Sequence, residues 1–122
     1  MVVEMHPPVP IFRSFDEGAT RAFYLDFLGF EVEFEHRFAP DLPLYLSVRS
    51  GNCIIHLSEH HGDATPGGAI RIEVEDVHAF ARVLNEKRYK HARPGVQRQD
   101  WGDDEMIVKD PSGNRLVFYT SA

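Results

Sequence analysis

The sequence has little that would place the protein outside the cell or in a membrane. It contains one cysteine, Cys53, so no disulfide can form within the chain, which is typical of a reducing cytoplasm. No apolar run approaches the ~20 residues that a membrane-spanning helix needs. The opening segment MVVEMHPPVP lacks the apolar centre of a signal peptide. From these absences we expect a cytoplasmic protein with no membrane partner.

Basic residues are also in short supply. The chain has 13 lysines and arginines against 19 aspartates and glutamates, a net charge of −6. Because binding to nucleic acid depends on a basic surface that releases counterions from phosphates, this balance argues against a nucleic-acid partner. The same negative charge favours a cationic ligand.

The apolar content, by contrast, is that of an ordinary globular protein. Apolar residues make up 43% of the 122 residues and charged residues 26%. A chain of this length buries a core without covalent crosslinks. We therefore expect residues 1–122 to form a single domain.

The first half of the chain predicts one strand, one helix and three further strands. Prolines make residues 8–13 extended, Asp16 suits a helix N-cap, and apolar residues then recur at helical spacing up to Gly29. Alternating apolar and charged residues predict a strand in FEVEFEHRF. Two strands joined by a short turn at residues 50–52 are predicted in LPLYLSVRSGNCIIHLSE.

The same order of elements starts again after a glycine-rich loop. AIRIEVE predicts a strand, Asp76 caps a second helix, and residues 91–98, DEMIVK and NRLVFYT predict three more strands. The Asp-Pro-Ser-Gly sequence at 110–113 suits a type I turn. Two βαβββ modules, about residues 7–60 and 69–120, thus predict an α+β fold of curved mixed sheets. The helices are expected on the outer side, with a concave cleft opposite them.

Three segments resemble the vicinal oxygen chelate superfamily, which includes glyoxalase I, extradiol dioxygenases and antibiotic-resistance proteins. They are VPIFRSFDEGATRAFYLDFLGFEV, AIRIEVEDVHAF and DPSGNRLVFY. Within that superfamily, the run DWGDDEMIVKDPSGN is similar to the bleomycin resistance proteins. The resemblance covers nearly the whole chain and implies the fold described above. It leaves the function open, because this fold carries many chemistries.

The resemblance also gives the positions where enzymes of this superfamily bind a metal. Here they are occupied by Pro7, with His6 beside it, His56, Ala69 and Val117. His56 is the one good ligand of the four, whereas a catalytic divalent metal needs about three protein ligands. We therefore expect no metal site and no cofactor. A divalent-metal-dependent enzyme of the glyoxalase or dioxygenase type is the alternative.

Strand alternation then indicates which side chains face the cavity if the resemblance holds. Arg71 and Glu73 are expected on that face, paired with each other, while Cys53 is expected to face the core. Trp101 is expected to stack on a guest, with acidic neighbours that would attract a cation. No catalytic residue is assigned, and the candidate ligand-binding residues are Trp101, Asp103, Asp104, Phe38, His56, Arg71, Glu73 and Tyr119.

These residues favour a non-catalytic protein that sequesters a small planar or cationic molecule, with bleomycin-type drugs as one candidate class. The resemblance further implies a homodimer that exchanges N-terminal strands and forms two crevices at the subunit boundary. A third hypothesis is a metal-independent enzyme that uses His56 or Glu73 as a base.

Overall fold

The computed structural model describes residues 2–121, which repeat one order of elements, β-α-β-β-β. The elements of the first half are β1 (Ile11–Arg13), α1 (Glu17–Arg21), β2 (Glu31–His36), β3 (Tyr45–Ser50) and β4 (Cys53–Ser58). Those of the second half are β5 (Ala69–Glu73), α2 (Val77–Glu86), β6 (Val96–Arg98), β7 (Asp104–Lys109) and β8 (Arg115–Thr120). No helix in this part of the chain has the length and apolar character needed to cross a membrane.

Each half forms a four-stranded mixed sheet. The strand orders are β1-β4-β3-β2 and β5-β8-β7-β6. β1 runs parallel to β4, and β5 runs parallel to β8, whereas the other neighbours are antiparallel. The sheets are curved and do not close into a barrel. The α+β fold of two βαβββ modules is therefore confirmed.

Both helices begin at the predicted caps. The carboxylate of Asp16 accepts a hydrogen bond from the backbone N–H of Ala19 at 3.0 Å. Asp76 accepts the equivalent bond from Ala79, also at 3.0 Å. These bonds satisfy N–H groups that have no partner within the first helical turn. The caps therefore mark the same point of the repeat in each half.

The first helix differs from the regular α-helix that the sequence predicts. After α1 the chain continues as a π-helical segment, Ala22–Phe27, and the N–H of Leu28 bonds the carbonyl of Phe23 five residues back at 2.9 Å. Phe23, Tyr24 and Phe27 are all buried. Such widened turns are rare and are often found at functional sites.

Several strands are shorter than predicted, and proline explains two of the differences. β1 begins at Ile11 rather than at residue 8, and β6 at Val96 rather than at residue 91. Pro8, Pro10 and Pro94 precede these starts and have no N–H to donate to a neighbouring strand. β2 covers residues 31–36 rather than the predicted 30–38, so it starts one residue later and ends two residues earlier.

One hydrophobic core contains residues from both halves. Ile55 and Leu57 of β4 face it, as do Leu116 and Phe118 of β8, and the ring of Phe80 on α2 lies edge-on to Phe118 with centroids 5.0 Å apart. The helices thus cover one face of each sheet. The opposite, concave faces stay open, as the alternation predicts.

A buried polar cluster joins the two halves through the Asp110–Asn114 turn. The hydroxyl of Tyr24 donates to Asp110 Oδ2 at 2.7 Å. The side-chain amide of Asn114 donates to the same oxygen at 2.9 Å and to the carbonyl of Arg13 at 2.8 Å. Its oxygen accepts from the N–H of Gly68 at 3.2 Å. The contact between the two halves therefore depends on the carboxylate of Asp110 and the side-chain amide of Asn114, both of which are hydrogen-bonded.

Two glycines allow the close fit around this cluster. Gly113 has φ +90° and donates its N–H to the carbonyl of Asp110 at 3.1 Å, which completes the predicted turn. At Gly68, an added Cβ would lie 2.9 Å from the ring of Phe12. The first half therefore packs directly against the backbone of the second.

Replacing Tyr24 with phenylalanine tests the role of the cluster in stability. We expect Tyr24→Phe to lower the free energy of unfolding by about 2 kcal/mol, because a buried carboxylate loses one of its donors. Denaturant unfolding followed by circular dichroism measures the change. Tyr89→Phe is the matched control, since the hydroxyl of Tyr89 forms no hydrogen bond with any of residues 2–121. Equal losses in the two variants would contradict the prediction.

Candidate functional site

The two open sheet faces carry different groups of side chains. We call the group on the first sheet the aromatic face; it contains Phe34, His36, Phe38, Tyr45 and His56. We call the group on the second sheet the arginine face; it contains Arg71, Trp101, Asp103, Glu105 and Tyr119. Among residues 2–121, no hydrogen bond or ring contact joins the two faces.

The aromatic face is built by alternation on β2, β3 and β4. The Tyr45 hydroxyl and His56 Nδ1 lie 2.6 Å apart and share a hydrogen bond. The ring of Phe34 stacks beside Tyr45, with centroids 6.3 Å apart, and meets His56 edge-on at 5.5 Å. A bulge in β2 between Val32 and Phe34 shifts the register at this point, and such bulges re-aim side chains. The three rings therefore hold one another in place.

Phe38 extends this face beyond the end of β2. Its side chain is 76% exposed, and its ring lies edge-on to His36, with centroids 4.8 Å apart. A cavity of about 390 Å³ lies beside it, and Tyr45, His60 and Asp63 contribute to the lining. The predicted residues Phe38 and His56 thus belong to one face. Phe34 and Tyr45 were not among the residues predicted for the site. For Tyr45, the alternation with Leu46 and Val48, which are buried, was the available signal.

Arg71 is the centre of the arginine face. Its guanidinium donates to Glu105 at 2.6 Å and to Asp103 at 3.3 Å, and its central carbon lies 4.2 Å from the centroid of the Tyr119 ring. The hydrogen bond with Glu105 raises the pKa of Arg71 above its ordinary value. Arg71 therefore remains charged and neutralises much of the acidic charge beside it.

The predicted pairing of Arg71 with Glu73 is wrong. Arg71 instead reaches across β8 to Glu105 of β7 and to Asp103, which directly precedes β7. Glu73 is exposed and lines a separate cavity of about 320 Å³, together with Cys53 and Phe80. Cys53 packs against the edge of the core, as expected, and burial raises the pKa of its thiol.

Trp101 lies at the edge of the arginine face. Its side chain is 65% exposed, and its indole N–H donates to Asp103 at 3.1 Å. This bond fixes the ring beside a cavity of about 240 Å³ that Ala69 and Val117 also line. One broad face of an aromatic ring is therefore available to a ligand, while Asp103 is shared between Trp101 and Arg71.

Asp104 lies apart from the other candidate residues. Alternation along β7 turns Glu105 to the concave face and Asp104 to the side of α2, where it bonds Arg98 and lies 3.0 Å from His78 Nε2. These two partners lower the pKa of Asp104 to about 2. Glu105, rather than Asp104, lies on the concave face. Met106 follows Glu105 and is buried, and this apolar position was the sequence signal that Glu105 faces the opposite side of the strand.

The positions that bind metal in enzymes of the resembling superfamily do not fit a metal here. Ala69 and Val117 face the cavity of the arginine face and have no donor atoms, while His56 lies on the other sheet. Within residues 2–121, no three His, Cys, Asp or Glu side chains converge on one point.

Comparison with solved structures gives the same fold. A bleomycin-binding protein from the bleomycin-producing Streptomyces verticillus, complexed with copper(II)-bleomycin, has a TM-score of 0.72 and 30% sequence identity, covering 99% of each chain. Another bleomycin-binding protein, complexed with bleomycin, has a TM-score of 0.75 and 20% identity, covering 97% of this chain and 100% of that one. An antibiotic-binding protein from a Streptomyces strain has a TM-score of 0.66 and 17% identity, covering 98% and 100%. At such low identities, the last two show the fold alone.

Sequence comparison identifies the family. A search of curated proteins found no match. Residues 2–122 match the family described as "Glyoxalase superfamily protein". Because this match spans nearly the whole sequence and the repeat of two βαβββ modules agrees with it, the chain belongs to the glyoxalase superfamily.

Proposed function

We propose that the protein binds a small planar or cationic molecule on its concave faces and sequesters it without chemical change. The observation that carries this proposal is the set of exposed aromatic rings on those faces, at the side of the fold where the metal ligands of related enzymes are replaced by Ala69 and Val117. The single cysteine of the chain is consistent with a cytoplasmic place of action.

The aromatic rings suit stacking on a flat guest. Phe34 is 45% exposed, and its orientation is fixed by Tyr45 and His56. Trp101 is fixed through its indole N–H. Large exposed apolar groups that are clustered commonly mark interaction surfaces. Rings that are already held in place lose little conformational freedom when a ligand binds, which favours affinity.

The carboxylates of the arginine face are already paired with Arg71. We therefore expect stacking to contribute more to ligand binding than the attraction of a cation does. Asp103 and Glu105 are both engaged by Arg71, which also covers one face of Tyr119. The net charge of −6 still favours positive charge on the guest. A planar ring system with a positive substituent therefore suits this surface best.

The solved relatives suggest which compounds to try first. Two of them were solved with bleomycin or copper(II)-bleomycin, and a third is described as an antibiotic-binding protein. We therefore propose a bleomycin-type drug as the first candidate ligand.

We further propose that the protein acts as a homodimer. The aromatic face and the arginine face lie on different sheets, and each is open to solvent within one chain. The exposed apolar side chains Val2, Val3 and Met5 precede β1 and have no strand partner within residues 2–121. Exchange of this arm with a second chain would cover these side chains and bring an aromatic face opposite an arginine face.

Titration with bleomycin tests the proposed ligand class. Metal-free bleomycin is expected to change the emission of Trp101, the single tryptophan, and to give saturable heat in calorimetry. Removing a stacking ring by Phe34→Ala or Phe38→Ala is expected to weaken binding about three- to tenfold. Val83→Ala, an exposed apolar change on α2, is the control and leaves the affinity unchanged. The absence of binding at high micromolar concentrations would exclude the drug-specific form of the proposal.

Light scattering tests the proposed assembly. The full chain is expected to have twice the 13.9 kDa mass of one chain. A chain that begins at residue 10 lacks the exposed arm and is expected to shift towards the monomer at micromolar concentration. A full-length protein that runs as a clean monomer would refute arm exchange.

A further inference from the structure

A further cavity lies outside both concave faces and is distinct from the cavity that Glu73 lines. It measures about 610 Å³ and is bounded by α1, the segment that follows α2 and the turn that follows β7. We call it the basic pocket; its lining residues are Ala19, Ala22, Tyr89, Lys90, His91, Lys109, Asp110 and Pro111. It is larger than the cavities of about 390 and 240 Å³ on the aromatic and arginine faces. Its volume is within the range of sites for small molecules.

Positive charge is concentrated around this pocket in a chain that is otherwise acidic. The segment KRYKHAR, residues 87–93, contains four of the 13 lysines and arginines, and it has no acidic residue. Lys109 adds a further cation from the opposite wall. Within residues 2–121, no ion pair involves Lys90 or Lys109. Their charges are therefore available to an anion.

The one carboxylate of the lining is already satisfied. Asp110 is buried and accepts hydrogen bonds from the hydroxyl of Tyr24, the N–H of Ser112 and both the N–H and the side-chain amide of Asn114. It therefore has little capacity left to bind a cation. The two lysines of the lining, Lys90 and Lys109, outweigh its single charge.

The pocket also has a flat aromatic wall. The ring of Tyr89 stacks on the buried Phe27, with centroids 4.6 Å apart and planes 23° from parallel, and His91 meets Tyr89 edge-on at 5.4 Å. Burial raises the pKa of Tyr89, so its hydroxyl stays protonated at neutral pH and can donate to an anion. Ala19 and Ala22 contribute only methyl groups from the other side.

We propose that the basic pocket binds a small aromatic anion, with its ring between Tyr89 and the two alanines and its phosphate, sulfate or carboxylate group at Lys90 and Lys109. This site is separate from the concave faces, so it does not depend on the proposed drug-binding function. Lysine side chains bind such groups as mobile point charges.

Calorimetry and NMR titration with 1-naphthyl phosphate test this proposal. The probe is expected to bind with one site per chain and to shift the backbone amide signals of Ala19, Ala22 and residues 89–91. 1-Naphthol, which lacks the charge, and inorganic phosphate, which lacks the ring, are each expected to bind at least about tenfold more weakly. Amide shifts confined to the concave faces, or none at millimolar probe, would overturn the proposal.

Three variants separate the pocket from general electrostatic attraction. Lys90→Gln and Lys109→Gln are each expected to weaken 1-naphthyl phosphate binding by about tenfold. Arg82→Gln removes the same charge from the exposed surface of α2 and is expected to change the affinity less than twofold. Ala22→Leu fills the pocket without a change of charge and is expected to abolish binding. An equal effect of Arg82→Gln and the lysine variants would contradict the proposal, as would full binding by a folded Ala22→Leu protein.

Discussion

The hydrogen bond from Tyr24 to Asp110 and its neighbours in the buried cluster set the relation between the two halves. A buried carboxylate without donors would cost several kcal/mol, and here four donors satisfy it. Burial, together with the charge of Asp110, keeps the pKa of Tyr24 far above its ordinary value, so the phenol always has a proton to donate. Asn114 extends the cluster to the carbonyl of Arg13. The orientation of each sheet, and therefore of each concave face, follows from this contact.

Because the buried cluster holds the two sheets together, the side chains on the concave faces determine the chemistry that the protein offers to a ligand. The glyoxalase fold provides the cavity. Ala69 and Val117 provide no ligand for a metal, and His56 is hydrogen-bonded to the hydroxyl of Tyr45. What remains is a surface of fixed rings and one arginine whose charge is shared with two acids. Such a surface gains free energy by stacking and by excluding water from a flat guest.

Besides the fold class, the details that the sequence predicted correctly are local. Asp16 and Asp76 cap helices through bonds to residues three positions on, and the turn at 110–113 depends on its own proline and glycine. Features that depend on distant partners were missed. Arg71 pairs with Glu105 of β7, two strands away in the sheet, rather than with Glu73 of its own strand, and no local sequence pattern reveals that strand order. The basic pocket likewise needs segments far apart in the chain.

The most direct test of the account is a crystal structure of the protein grown with bleomycin. The account predicts a dimer in which the drug lies against Trp101 of one chain and against the partner's Phe34, with no metal held by protein side chains. A drug molecule bound away from both concave faces would contradict it, and so would a divalent metal coordinated by His56.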